Sequence, residues 1–411
     1  LSLMEEIEKL SPGLPPLMAV DQEGGLVDRI RFADTVLTPG MMALAASGDP
    51  EVTRRAHFIM GQQLHELGFH IDFAPCVDIN SNADNPVIGV RSCGEDPAEV
   101  ARHAQAACLG LRQGGVAATA KHFPGHGDCS LDSHVALPTL PHSMERLQAV
   151  ELVPFQSCIE GGVEAMMTAH ITFPALDPRP GRAATLSQPI VHGLLRQAMN
   201  YQGVIFSDSL EMQAIADHYG SGEATVLALE AGCDMVICCG GPQQHDQALA
   251  ALVAAVEGGR LERSRLEQSW QRLQLLRNAL PPMQRCPENV HLEAHKAEMK
   301  QLVERTITLV RNQENLLPLQ GKQVLLLSPD LLPLTPLGEM TRSDSVLQHL
   351  QLDGVELSEA HYPAETRGPA LEHLLNQARS AEVVLFTVYA RHRLPDRSEE
   401  RRVGKECRSR W

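Results

Sequence analysis

The chain is short of positive charge. Its 411 residues carry 35 Lys and Arg against 51 Asp and Glu, a formal net charge of −16 with histidine neutral. Phosphate polymers and acidic membranes are held by clustered basic side chains, so the balance argues against nucleic-acid or membrane partners. No apolar run approaches the roughly 18 residues that a membrane-spanning helix needs. The ten cysteines include no C-x-x-C pair, and Cys238 and Cys239 are adjacent. That spacing suits neither a disulfide framework nor a zinc ribbon. Several cysteines lie in apolar runs, where the thiol behaves as a small hydrophobe. Reduced thiols and a cytoplasmic location are the expectation. A G-x-x-x-x-G-K-[ST] phosphate loop is also missing.

A content of 43% hydrophobic and 21% charged residues is that of a globular protein with a substantial core. Residue 1 is Leu rather than Met, so an export signal ahead of it is not excluded by the sequence. At the other end "RSEERRVGKECRSRW" is basic and has no apolar periodicity. Residues 398–411 are expected to be a non-native tail and are set aside.

A strand–helix rhythm fills the first part. "PLMAVDQE" (16–23), "FHIDFAPCVD" (69–78), "VAATAKHFPG" (116–125), "VEAMMTAHI" (163–171), "GVIFSDSL" (203–210) and "CDMVICCG" (233–240) are short and apolar on both faces. Parallel strands buried on both sides read this way. Their starts lie 30 to 55 residues apart, room for a helical crossover each time. Asp49-Pro50 signals a helix start, with apolar residues at 52, 56, 59, 64 and 67 and Gly68 as its stop. Asp96-Pro97 repeats the device, and Glu99 predicts a capping box.

Two architectures fit that rhythm, a doubly wound open sheet and a (β/α)8 barrel. Asp21, Asp78, Lys121, His122, His170 and Asp208 all fall at C-terminal ends of the strand-like runs. An open sheet gathers function at one switch point, whereas a barrel lets every strand deliver to one mouth. The distribution favours the barrel, with six units in place of eight. Residues 1–280 form this expected domain. A Pro-rich connection is read over 281–298, and a partial second α/β domain over 299–397, where "KQVLLLSP" and "AEVVLFTV" look like buried strands.

"KHFPGHGDCSLDSH" (121–134) is dense in titratable groups. His122 and His126 have the i, i+4 spacing of a zinc-binding helix, but Pro124, Gly125 and Gly127 make a helix there unfavourable. No metal or cofactor is expected. Asp132 and His134 are two apart. In an extended segment they share a side, and the carboxylate can orient the imidazole for general acid–base work. A surface pair has the same spacing. Asp208 closes an apolar strand and suits a nucleophile for an anomeric carbon or the N-cap of the next helix.

In combination these segments resemble glycoside hydrolase family 3, and within it the β-N-acetylglucosaminidase branch. The resemblance rests on "AVDQEGGLVDRI", "FAPCVDI", "IGVRSCGEDP", "KHFPGHGDCSLDSH", "MTAHI" and "GVIFSDSLEM", in family order over roughly residues 15 to 240. It implies a TIM-type barrel truncated by its first two β/α units and followed by a partial αβα-sandwich domain. It implies Asp208 as nucleophile, His134 as acid/base on a mobile loop, and Asp132 as its dyad partner. Asp21, Arg29, Arg91, Lys121, His122 and His170 are implied substrate-binding residues. The implied substrate is a β-linked N-acetylglucosaminide, such as a peptidoglycan fragment or chitooligosaccharide. One departure stands out: Ser209 follows the nucleophile where the family pattern has a second acidic residue.

Overall fold

The computed structural model describes residues 2–9, 14, 16–32, 34–133, 136–282, 291–310, 312, 317, 323–329, 355–363 and 366–387. The chain divides into two compact units, 1–307 and 308–411. In the first, six parallel strands are described: β1 (Ala19–Val20), β2 (Ile71–Asp72), β3 (Ala117–Phe123), β4 (Ala165–Thr168), β5 (Val204–Ser209) and β6 (Met235–Ile237). Their spatial order is their chain order, each paired with the next. A doubly wound sheet would reverse direction at a switch point. This order has no reversal, so the strands form an arc of a (β/α)8 barrel.

Alternation along the strands sorts residues into two shells. Ile71, Ala117, Ala165, Met167, Val204 and Phe206 pack together on the inner face, closed by Leu276 from the helix Arg263–Ala279. Phe73 meets Phe206 edge to face there, with centroids 5.2 Å apart. The intervening residues Ala118, Ala120, Met166 and Ile205 face the helices in the main core. Side chains two apart share a face. Lys121 therefore continues the inner row of Ala117, and Asp208 that of Val204 and Phe206.

The helix ends follow local chemistry. Asp49 accepts the Glu51 N–H at 2.9 Å ahead of Pro50–Leu67, and Gly68 at φ 101° ends it. Asp96 accepts from Ala98 and Glu99 at 2.9 and 3.0 Å ahead of Pro97–Gly114. The expected capping box is only half formed. The Glu99 carboxylate turns to Arg102 at 2.6 Å, where a charge-assisted bond on the helix surface competes with the cap.

The domain boundary differs from the expected one at 280. Helix Leu292–Glu304 belongs to the first unit, because Met299 and Leu302 join the core of Ala56 and Ile59. Glu298 also takes a bidentate pair from Arg55 at 2.6 and 2.7 Å. Residues 283–290 of the expected connection lie outside the described residues, as does the expected tail 398–411. The second unit holds a three-stranded parallel sheet of β7 (Gln323–Pro329), β8 (Glu356–Tyr362) and β9 (Val383–Phe386), with β7 in the middle. Helix Pro369–Ser380 packs on it through Leu374 and Ala378. This smaller sheet-and-helix domain agrees with the expected partial sandwich.

Candidate active site

The segment after β1, the short 3-10 helix Gly89–Arg91 and strand β3 bring together a buried charge cluster. Glu23, two residues beyond Asp21, receives Arg91 in a bidentate pair at 2.7 and 2.8 Å and Lys121 Nζ at 2.7 Å. All three side chains are buried. Burial alone would raise the Glu23 pKa, but Arg91 and Lys121 outweigh it and hold the carboxyl well below the usual range. Lys121 Nζ also donates to Asp21 Oδ1 at 2.7 Å, and Asp21 is 43% exposed. Asp21 is therefore the member of this cluster that reaches the open mouth. Beneath it, Asp72 is fully buried and accepts the Gln22 N–H at 3.0 Å. Burial pushes its pKa well up, against the lowering pull of the Gln22 N–H and Lys121.

Asp78 organises the next layer. It is buried and accepts four donors: the N–H groups of His122 and His126, His122 Nδ1 at 2.7 Å, and the Cys76 thiol at 3.3 Å. Burial would raise its pKa; the two histidines and the His126 N–H reverse that and lower it. A carboxylate on Nδ1 fixes the tautomer of His122 and leaves Nε2 for another partner. Cys76, Asp78 and His122 also form a group whose potential ligand atoms lie within 4.8 Å of one another. At 2.7 Å, however, His122 Nδ1 and Asp78 Oδ2 are a hydrogen-bonded pair. Two ligands about 2.0 Å from a tetrahedral zinc would stand roughly 3.3 Å apart. The donor set as it stands is a hydrogen-bonded triad and does not fit a bound metal.

Asp208 ends β5 on its inner row. Burial raises its pKa, but His170, His122, the Ser209 N–H at 2.7 Å and Lys121 together hold it below the ordinary value. The carboxylate is therefore held in its ionised form. His170 stands behind it, fully buried, with Nδ1 2.9 Å from Thr185 Oγ1 and Nε2 2.7 Å from the Ser209 carbonyl. This placement makes it a prop of the β5 terminus. Ser209, where the family pattern is acidic, sends its hydroxyl to Glu211 at 3.2 Å, so a carboxylate still lies two residues on.

Three expected residues remain. Arg29 is exposed, and its N–H donates to Gln22 Oε1 at 2.8 Å. Asp132 is half-buried, and its carbonyl accepts from Ala136 at 3.0 Å. His134 lies outside the described residues. Glu23, Asp72 and Ser133 were not among the residues expected from the sequence. A cavity of about 410 Å³ lined by Arg179, Arg182, Arg260 and Arg265 shares no residue with this cluster.

Residues 2–276 match the glycosyl hydrolase family 3 N terminal domain. The chain is 34% identical over 355 residues to beta-hexosaminidase A of Pseudoalteromonas piscicida, an alignment covering 80% of this chain and 59% of that protein. It is 38% identical over 256 residues to a beta-hexosaminidase of Methylococcus capsulatus, covering 61% of this chain and 74% of that one. Among solved structures it resembles a glycoside hydrolase family 3 beta-N-acetylglucosaminidase from Paenibacillus sp. str. FPU-7. There the TM-score is 0.86 at 36% identity, covering 94% of this chain and 75% of that chain.

Proposed function

Because the chain belongs to glycoside hydrolase family 3, in its β-hexosaminidase branch, we infer that it removes non-reducing terminal β-linked N-acetylglucosamine with retention of configuration. Asp208 attacks the anomeric carbon and forms a glycosyl-enzyme ester while the bond to the leaving oxygen breaks. His134, oriented by Asp132, gives its proton to that oxygen. In the second step the same imidazole takes a proton from water, which attacks the anomeric carbon and frees Asp208. Lys121 and Asp21 offer a donor and an acceptor side by side at the mouth for adjacent sugar hydroxyls. Arg91 and Glu23 fix Lys121 from behind, and His122 presents its Nε2 once Asp78 has claimed Nδ1. Peptidoglycan fragments or chitooligosaccharides are the proposed natural substrates.

The observation that carries this reading is Asp208, a half-buried carboxylate held ionised at the inner end of β5. An imidazole acid suits it as partner, since it places no second negative charge beside the nucleophile. The test compares p-nitrophenol release from the β-N-acetylglucosaminide and the β-glucoside, for the chain and for His134→Ala. Preference for the acetamido sugar that weakens with the mutation supports the reading. Equal or reversed preference, indifferent to His134, replaces it with a β-glucosidase.

A further inference from the structure

The segment 121–133 is anchored at two points of different character. Near its base the backbone is immobilised several times over. Asp78 Oδ1 accepts the His126 N–H at 2.6 Å, and Asn85 Nδ2 donates to the carbonyls of His126 and Gly127, both at 2.9 Å. Gly127 lies so close to the preceding strand's exit that a Cβ there would stand 1.6 Å from the Ile79 oxygen. Further on, Asn82 reaches the Cys129 carbonyl at 3.3 Å, Leu131 is exposed and Asp132 half-buried. The chain then turns inward at Ser133.

Ser133 is 2% exposed, and its hydroxyl lies 2.9 Å from His126 Nε2, itself on a residue 2% exposed. Its carbonyl accepts from Ala214 N at 3.4 Å, in the helix Gln213–Ala216 that follows the Asp208 strand. A buried hydroxyl without a partner is unfavourable. His126 supplies that partner and has no other side-chain bond: its Nδ1 is buried without a partner among the described residues. Burial and the neighbouring His122 lower the His126 pKa to about 4. The ring is therefore neutral near pH 7, with one nitrogen to donate and one to accept.

We propose that the His126–Ser133 hydrogen bond is a latch that positions the Asp132/His134 pair for proton transfer to the leaving oxygen, with Ser133 and His126 as positioning residues. The proposal rests on the assignment of His134 as the acid. In the sequence Ser133 lies between the two members of the pair, so a bond that holds Ser133 restrains the chain next to it on either side. Its carbonyl also ties Ser133, through Ala214, to the helix that follows the strand of Asp208.

The test is a leaving-group series of aryl and alkyl β-N-acetylglucosaminides, read as kcat/KM. A dinitrophenolate leaves without protonation, whereas an alkoxide needs the acid. For Ser133→Ala we expect a loss of roughly 10- to 100-fold with alkyl and unactivated phenyl aglycones, but less than about threefold with dinitrophenyl. His126→Leu should give the same slope. His126→Gln, whose amide nitrogen can stand near the Nε2 position, should restore most of it. The double variant Ser133→Ala/His126→Leu should be no worse than either single one. A loss in Ser133→Ala that is equal across all leaving groups, beside a steep dependence in His134→Ala, overturns the latch and spares the acid assignment. A flat series in His134→Ala overturns the acid assignment and the latch with it.

Discussion

The two halves of the candidate site are held by different physics. The half built on β1, β3 and β5 is fixed by buried charge: Glu23 answers Arg91 and Lys121, and Asp208 sits at the end of a packed inner row. The half built on the loop after β3 is fixed mainly by hydrogen bonds: a neutral one between His126 and Ser133, Asn85 on the His126 and Gly127 carbonyls, and one buried carboxylate, Asp78, on the His126 N–H. Buried ion pairs are all-or-nothing, because removing one member strands the other in a poor solvent. Neutral hydrogen bonds contribute about 1 kcal/mol each and can open and close. On the proposed assignment, the groups that bind and attack are set by buried charge and strand packing, while the acid follows a segment held mainly by hydrogen bonds.

Four experiments break or sharpen this contrast. Asp208→Asn removes the strand-held nucleophile and should lower kcat/KM by roughly 10⁴-fold or more with every leaving group, read by initial rates across the aryl series. His134→Ala removes the loop-held acid and should cost about 10³-fold with unactivated aglycones and far less with dinitrophenyl. A uniform loss would erase the distinction between the halves.

Glu23→Gln leaves Arg91 and Lys121 without their buried counter-charge. It should destabilise the first unit by roughly 3 kcal/mol, measured by denaturant unfolding of the full chain. No change would mean that solvent reaches the cluster. The smallest effect concerns pH. His126 and His57 are both lowered to about 4 from 6.5, chiefly by burial. Below pH 6.5 the unfolded chain takes up protons that the folded one refuses. Stability is therefore full above pH 6.5 and falls as pH drops toward 4, by up to about 1.4 kcal/mol per unit and per histidine. His126, faced by His122, Asp78 and Arg91, is the one of the two in the loop. His126→Gln should reduce the slope of unfolding free energy against pH by close to one proton, and an unchanged slope would show that His126 titrates normally.

What could be read from the sequence was whatever is local. Strand ends, helix starts at Asp49 and Asp96 and the stop at Gly68 depend on neighbours within a turn. The period-two rows that carry Lys121 and Asp208 inward are equally local. Glu23 was hidden because it follows Asp21 and Gln22 in one polar run, and only its partners, 68 and about a hundred residues away, single it out. Asp78 was visible as a strand-end acid, but its work depends on groups 44 and 48 residues on. His170 reads as a strand-end histidine, and its contacts with Thr185 and the Ser209 carbonyl, 15 and 39 residues on, are not local. Helix Leu292–Glu304 was misplaced because the proline-rich stretch before it looks like a domain boundary. Its apolar face alone does not say which unit it joins.

Asp78 has a consequence for how such a site can change over generations. One carboxylate orients a proposed sugar-binding histidine and anchors the loop of the proposed acid. Any replacement there is felt at both places in the same step, so selection cannot tune recognition and proton transfer separately through it. A lineage that adapts to a different sugar or aglycone has its open routes at the rim, at Asp21 and Arg29, where a side chain meets solvent and answers to fewer neighbours.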